Sequence, residues 1–163
     1  MENKKVPKFL FNKHNRKQAE EILSKEEFKR KTVSFYRYTI IDQPKELRDE
    51  LFISWTELNV LGRIYLAKEG INAQLNVPEH NWDKFEATIN SYSYFKNMPF
   101  KFAVQEKGVG SFYKLTIKVR KQIVADGLSI DDYDVTNVGK HLTAAQWNKA
   151  MNDGALVGDM RNN

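Results

Sequence analysis

Four cations crowd one short stretch of this chain: Lys114, Lys118, Arg120 and Lys121 fall within residues 111–125, which hold no Asp or Glu. Tyr113, Leu115, Ile117 and Val119 alternate there with Lys114, Thr116, Lys118 and Arg120, a period of two that predicts a strand with three cations on one face. Every second residue of a strand advances about 6.6–7 Å, close to the spacing of successive phosphates along an unpaired nucleic-acid strand. The same pattern also serves a solvated edge strand, where lysine deters pairing with another chain. Arg63 and Tyr65, then Asn72, Gln74 and Asn76, could carry a basic stripe across neighbouring strands. Tyr36, Arg37 and Tyr38 add stacking rings, with the outward side of their strand left open. Sheets that bind RNA combine aromatic rings and cations in this way.

Other chemistry is poorly supplied. The chain has no Cys, which excludes disulfides, thiolate zinc sites and cysteine nucleophiles within it. His14, His80 and His141 share no metal-ligand spacing, and Asp131, Asp132 and Asp134 lack the Gly and terminal Glu of a calcium loop. No phosphate-cradling glycine motif and no nucleophile–base pair is evident, so neither metal nor cofactor is expected here. Glu69-Gly70 reads as a turn in which Gly70 takes positive φ. Glu69 and Asn72 then either hold that turn or approach RNA or a partner domain. Asp126-Gly127 reads as a second turn.

These residues need a scaffold, and the spacing of apolar positions predicts one. A helix is expected within 13–30, with Ala19, Ile22, Leu23 and Phe28 on one side. TVSFYRYTII at 32–41 reads as a strand. Asp42-Gln43-Pro44 starts a helix over 44–58 with Leu47, Leu51, Trp55 and Leu58 on one face. Strands follow at 60–67 and 71–77, where Ile71, Ala73, Leu75 and Val77 alternate with Asn72, Gln74 and Asn76. A second helix over 79–92 repeats Trp82, Phe85, Ile89 and Tyr92, and FKFAV at 100–104 gives a short strand. The order βαββαβ predicts an α+β, ferredoxin-like (acylphosphatase-like) sandwich, with both helices on one face of the sheet and the other face open. The strand carrying Lys118 is then an added fifth, and Leu51, Trp55, Phe85 and Ile89 are expected in the core.

Four segments are expected: a basic N-terminal extension with its helix (1–31), the sandwich (32–125), a linker (126–142) and the start of another domain (143–163) with a helix in TAAQWNKAM and a strand in ALVGDM. The net charge of +5 sits wholly in residues 1–31, with ten Lys/Arg against five Asp/Glu; the other 132 residues hold sixteen of each. A basic arm on a neutral body suits a polyanion, but on charge alone a solvated terminal helix is the simpler explanation. With 41% hydrophobic and 29% charged residues the chain is globular rather than disordered. No apolar run reaches the ~18 residues of a membrane span, and the N-terminus lacks the ~7–15-residue apolar stretch of a signal peptide, so a cytoplasmic protein is expected.

Several blocks share a resemblance: VSFYRY at 33–38, LNVLGRIYLAKEGINAQLNVP at 58–78 and IKVRKQIVADG at 117–127, with LTAAQWN and DMRN nearer the end. Together, in this order, they resemble the rhodanese-domain-containing tRNA uridine hydroxylase family, which converts the wobble uridine to 5-hydroxyuridine. The resemblance spans roughly residues 30–162. It implies an N-terminal ferredoxin-like domain joined by a linker to a rhodanese domain, with tRNA and that C-terminal rhodanese domain as partners and oxygen or another oxidant as co-reactant. It places the essential Cys in a loop downstream of Asn163, so no catalytic residue carries over and this chain alone is expected to be inactive. Gly158 stands where the family usually has a bulky apolar strand residue. A tRNA-positioning role and a purely structural one, buttressing the rhodanese domain or mediating dimerisation, both remain open. Acylphosphatase activity does not follow from the fold: the loop after the first strand is Ile41-Asp42-Gln43-Pro44, where phosphate would meet an acid and neither Gly nor Arg.

Overall fold

The computed structural model describes residues 10–103, 112–124 and 133–158. The elements run α1 (Arg16–Ser24), β1 (Arg30–Tyr38), α2 (Pro44–Glu57), β2 (Leu61–Ala67), β3 (Gly70–Pro78), α3 (Trp82–Ser91), β4 (Lys101–Phe102), β5 (Leu115–Val119) and α4 (Ala144–Asn152). The strands form one sheet in the order β4-β1-β3-β2-β5. β3 lies antiparallel between β1 and β2, β4 is antiparallel to β1, and β5 runs parallel to β2. This is the ferredoxin-like arrangement, α+β in class, with a fifth strand on the β2 edge.

The two sandwich helices pack on the same side of the sheet because their apolar residues fall on single faces. Pro44 opens α2 with its φ already set, Glu46 favours the N-terminal end of the helix dipole, and Leu47, Leu51, Phe52 and Trp55 are buried. In α3, Trp82, Phe85 and Ile89 are buried. They meet Val33 and Phe35 of β1, Ile64 and Leu66 of β2, the four alternating residues of β3, and Leu115 and Ile117 of β5 in one core. Leu51, Trp55, Phe85 and Ile89 have no exposed surface, as their spacing predicts. Aromatic rings thread this layer: Trp55 lies 5.4 Å from Phe85, and Phe100 meets Phe35 and Trp82 edge-on at 5.4 and 5.2 Å.

Glycine is required where strands approach most closely. At Gly70 φ is +145°, and a Cβ would lie 2.1 Å from the carbonyl oxygen of Arg37. At Gly62 φ is +155°, with 2.3 Å to the carbonyl oxygen of Gln74.

The ends of the elements differ from the sequence expectation. The first helix covers only Arg16–Ser24, and β1 starts at Arg30 rather than 32. Phe28 therefore leaves the helical face and packs edge-on against His80, with ring centres 4.8 Å apart. At the other end no strand forms over 155–158, where Leu156 is fully exposed; residues 159–163 lie outside the described region. This segment is not part of the five-stranded sheet, and a lone strand leaves its backbone groups unsatisfied. α4 is capped by a Thr143–Gln146 capping box but buries no residue, and Trp147 and Met151 stay exposed. No helix among the described residues is long and apolar enough to cross a membrane.

Candidate nucleic-acid interface

The face of the sheet away from the helices is built by strict alternation. On β3, Ile71, Ala73, Leu75 and Val77 point into the core, which sends Asn72, Gln74 and Asn76 the other way. Strand register then decides what stands beside them. One row across the sheet reads Tyr36–Asn72–Tyr65–Lys118, and the next reads Lys101–Ser34–Gln74–Arg63–Thr116. Lys114 and Arg120 extend β5 at its two ends: the Gly62 amide donates to the Lys114 carbonyl (3.0 Å), and the Arg120 amide donates to Leu66 (2.7 Å). The structure therefore gathers Arg63, Tyr65, Asn72, Lys114, Lys118 and Arg120 on one surface.

That surface is cationic and aromatic together. The strands contribute no Asp or Glu to it, while Arg63, Lys101, Lys114, Lys118 and Arg120 are all exposed. The Arg120 guanidinium lies 5.5 Å from the ring centre of Tyr65, and the Lys101 ammonium 5.6 Å from that of Tyr36. Stacking rings and phosphate-seeking charges thus occur as adjacent pairs. A cleft of about 1170 Å³ continues from Tyr36, Tyr38 and Lys101 to the segment 135–141, which brings Lys140 and His141 to its far wall.

Some expected site residues lie elsewhere. Arg37 is on the helical side of β1, where its guanidinium donates to the carbonyls of Lys96 (2.7 Å) and Asn97 (2.9 Å) and holds the loop after α3. Tyr36 and Tyr38 face outward. Asn76 is buried rather than displayed: its Oδ1 accepts from the Thr32 hydroxyl (2.8 Å), and Arg30 covers it by donating to the carbonyls of Asn76 (3.3 Å) and Asn59 (2.8 Å). Lys121 is exposed just past β5, outside the rows. Lys101 was not singled out from the sequence, although it alternates with Phe100 and Phe102 and so had to face away from them.

Glu69 is a fastener. Its side chain is buried, with one oxygen accepting from the Ile123 amide (2.6 Å) and the other from the Tyr133 hydroxyl (3.0 Å). It ties the β2–β3 turn to the chain beyond β5. The same turn occupies the loop after β1: the Thr39 amide donates to the Glu69 carbonyl (2.9 Å) and the Ile41 amide to the Lys68 carbonyl (2.8 Å). Those amides are thereby withdrawn from any anion at Ile41–Pro44. Asp126, Gly127, Asp131 and Asp132 lie outside the described residues. Asp134 closes a local turn, accepting from the hydroxyl and amide of Thr136, and these bonds lower its pKa. Among the described residues no group of three His, Asp or Glu converges as a metal site would require.

The family model of the UPF0176 acylphosphatase-like domain matches residues 30–123. The chain belongs to this family. The UPF0176 match opens at Arg30, the first residue of β1, and closes at Ile123, whose amide Glu69 holds, so it encloses the whole sheet. Similar proteins named tRNA uridine(34) hydroxylase occur in Leptospira interrogans (50% identity, 99% of this chain, 43% of the relative), Escherichia fergusonii (47%, 82% and 38%) and Cronobacter sakazakii (44%, 91% and 44%). The chain thus spans about two-fifths of the length of these relatives.

Proposed function

We propose that this chain is the tRNA-positioning, N-terminal part of a hydroxylase acting on the wobble uridine of tRNA, and that the open face of its sheet is the surface that holds the RNA. One observation carries this reading: five exposed cations and three outward tyrosines share a face to which the strands contribute no carboxylate. An edge strand guarded by lysine accounts for Lys114 and Lys118 at β5 and for Lys101 on β4, but not for Arg63 on the inner strand β2. The relatives' name, tRNA uridine(34) hydroxylase, supplies the substrate class. Hydroxylation itself we assign to residues beyond this chain, in a rhodanese-like domain with an oxidant supplied there, since the chain has no thiol. A cytoplasmic location follows from that substrate. Residues 126–142 then act as the linker and 143–163 as the start of that domain.

The test is tRNA binding by this chain at several salt concentrations, read by fluorescence anisotropy. Each phosphate neutralised contributes about −0.7 to the slope of log K against log salt, so replacing Lys114, Lys118 and Arg120 together by Ala should flatten the slope by about 2. Different tRNAs should weaken alike, because phosphates carry no sequence information. An unchanged slope would return these residues to an ordinary charged strand face. A structural role in docking the next domain draws on a separate observation, the exposed Trp147, Met151, Leu156 and Val157. It concerns a different surface, and both can hold.

A further inference from the structure

The open face separates into two kinds of group. Lys114, Lys118 and Arg120 carry charge along one edge, while the row Tyr36–Asn72–Tyr65 crosses the three inner strands with a side-chain amide between two rings. Charges seek phosphates, which are alike at every nucleotide. An amide offers one donor edge and one acceptor in fixed geometry, which matches the edge of a base and is wasted on a phosphate. Asn76, two positions along the same face as Gln74, shows what a structural amide does here: it is buried and accepts from Thr32. Asn72 and Gln74 differ. Among the described residues neither side-chain amide has a hydrogen-bond partner, and both lie at the surface.

We propose that Asn72 is a base-reading residue, and that the row Tyr36–Asn72–Tyr65 receives two unpaired bases of one RNA strand. This rests on the reading of the face as an RNA surface and sharpens it to single-stranded RNA. The rings stand two strand spacings apart, about 9.6 Å, too far for one base to touch both and suited to two bases splayed out of a stack. Each ring has its own cation, Lys101 at Tyr36 and Arg120 at Tyr65, so a base on the ring brings its phosphate to a charge. Asn72 lies between the two bases and meets the polar edge of one, with Gln74 in the next row to assist. A duplex cannot use this row, since its bases are already stacked and a broad sheet does not enter the deep, narrow groove of A-form RNA.

The experiment measures binding of the full chain to short single strands of uridine, cytidine and adenosine, and to an RNA duplex of equal length. Single strands should bind about tenfold or more tighter than the duplex, with a clear preference among the bases. Tyr36→Ala and Tyr65→Ala should each weaken all single strands by about tenfold, the usual effect of losing one base–ring stack. Asn72→Ala should level the base preference while leaving the salt slope unchanged. Asn72→Val, whose side chain suits a strand, should do the same and guards against a folding defect. Duplex binding equal to single-strand binding, or a base preference that survives both Asn72 variants, would overturn the inference while leaving the phosphate-binding surface standing. Failure of the chain to bind any RNA would remove both.

Discussion

On its covered side, β3 sends Ile71, Ala73, Leu75 and Val77 beneath two helices, where none is more than 1% exposed. On its other side the same nine residues display Asn72 and Gln74 to solvent, beside Arg63, Tyr65 and Tyr36. Residues one position apart therefore answer to different physics. The covered positions are constrained by volume, because a tightly packed interior registers the loss of a methylene group. The open positions are constrained by little that concerns folding, so a repeated choice of cations, rings and amides there asks for a cause outside stability. Large stability losses should follow substitution on one face, and losses in binding with small stability changes on the other.

Leu51→Ala gives the largest expected effect. Its side chain has no exposed surface, so truncation leaves a cavity in the core and the cost should be about 2–5 kcal/mol by urea denaturation. Lys118→Ala, on the exposed face, should stay within about 0.5 kcal/mol. A cost above 2 kcal/mol at Lys118 would erase the contrast between the faces.

Glu69→Ala should rank next. It removes the acceptor of the buried Ile123 amide and of the Tyr133 hydroxyl, and an orphaned buried donor costs about 1–3 kcal/mol. Glu69→Gln keeps one carbonyl oxygen and should recover part of the loss. Hydrogen exchange at the Ile123 amide reads the effect locally: exchange in Glu69→Ala should quicken there more than at Leu75, in the middle of the sheet.

How far this could be read beforehand follows from the same contrast. Alternation along β3 and the four-four-three spacing of Leu47, Leu51, Trp55 and Leu58 specify the covered face, because burial imposes its period on sequence. Period two at 113–120 likewise placed Lys114, Lys118 and Arg120 together. What alternation does not encode is which strand lies next to which. That β5 adds in parallel beside β2, bringing Lys118 level with Tyr65, depends on a crossover connection rather than on local pattern. The burial of Asn76, and the side taken by Arg37, which the sequence leaves open, have a related reason. A long guanidinium on the covered side reaches past the core to three loop carbonyls, and a polar residue on the open side is buried when another side chain, here Arg30, lies over it. Glu69 gave a turn signal only, since its partners are 54 and 64 residues away.

The smallest expected effect concerns the helical layer and is read by pH. Tyr92 follows α3, is half-buried, and its phenol hydrogen-bonds to the Glu50 carboxylate on α2. Burial first, then the neighbouring negative charge and that bond, push its pKa from the usual 10 up to about 12. A raised pKa for an acid means that the folded state holds the proton more tightly than the unfolded chain does. The associated stabilisation is therefore complete below about pH 10 and is lost as pH rises through about 12. Thermal melts of the parent protein across this window should fall with pH, and Tyr92→Phe, which has no phenol to titrate, should fall less steeply. An ultraviolet titration should show one tyrosine in the parent ionising late and missing from the variant. The solvent on its exposed side screens the interaction with Glu50, so the difference should be small beside that of Leu51→Ala. Parallel melting curves for the two proteins through this range would mean that the contact between α2 and α3 at this rim contributes no proton-linked stability.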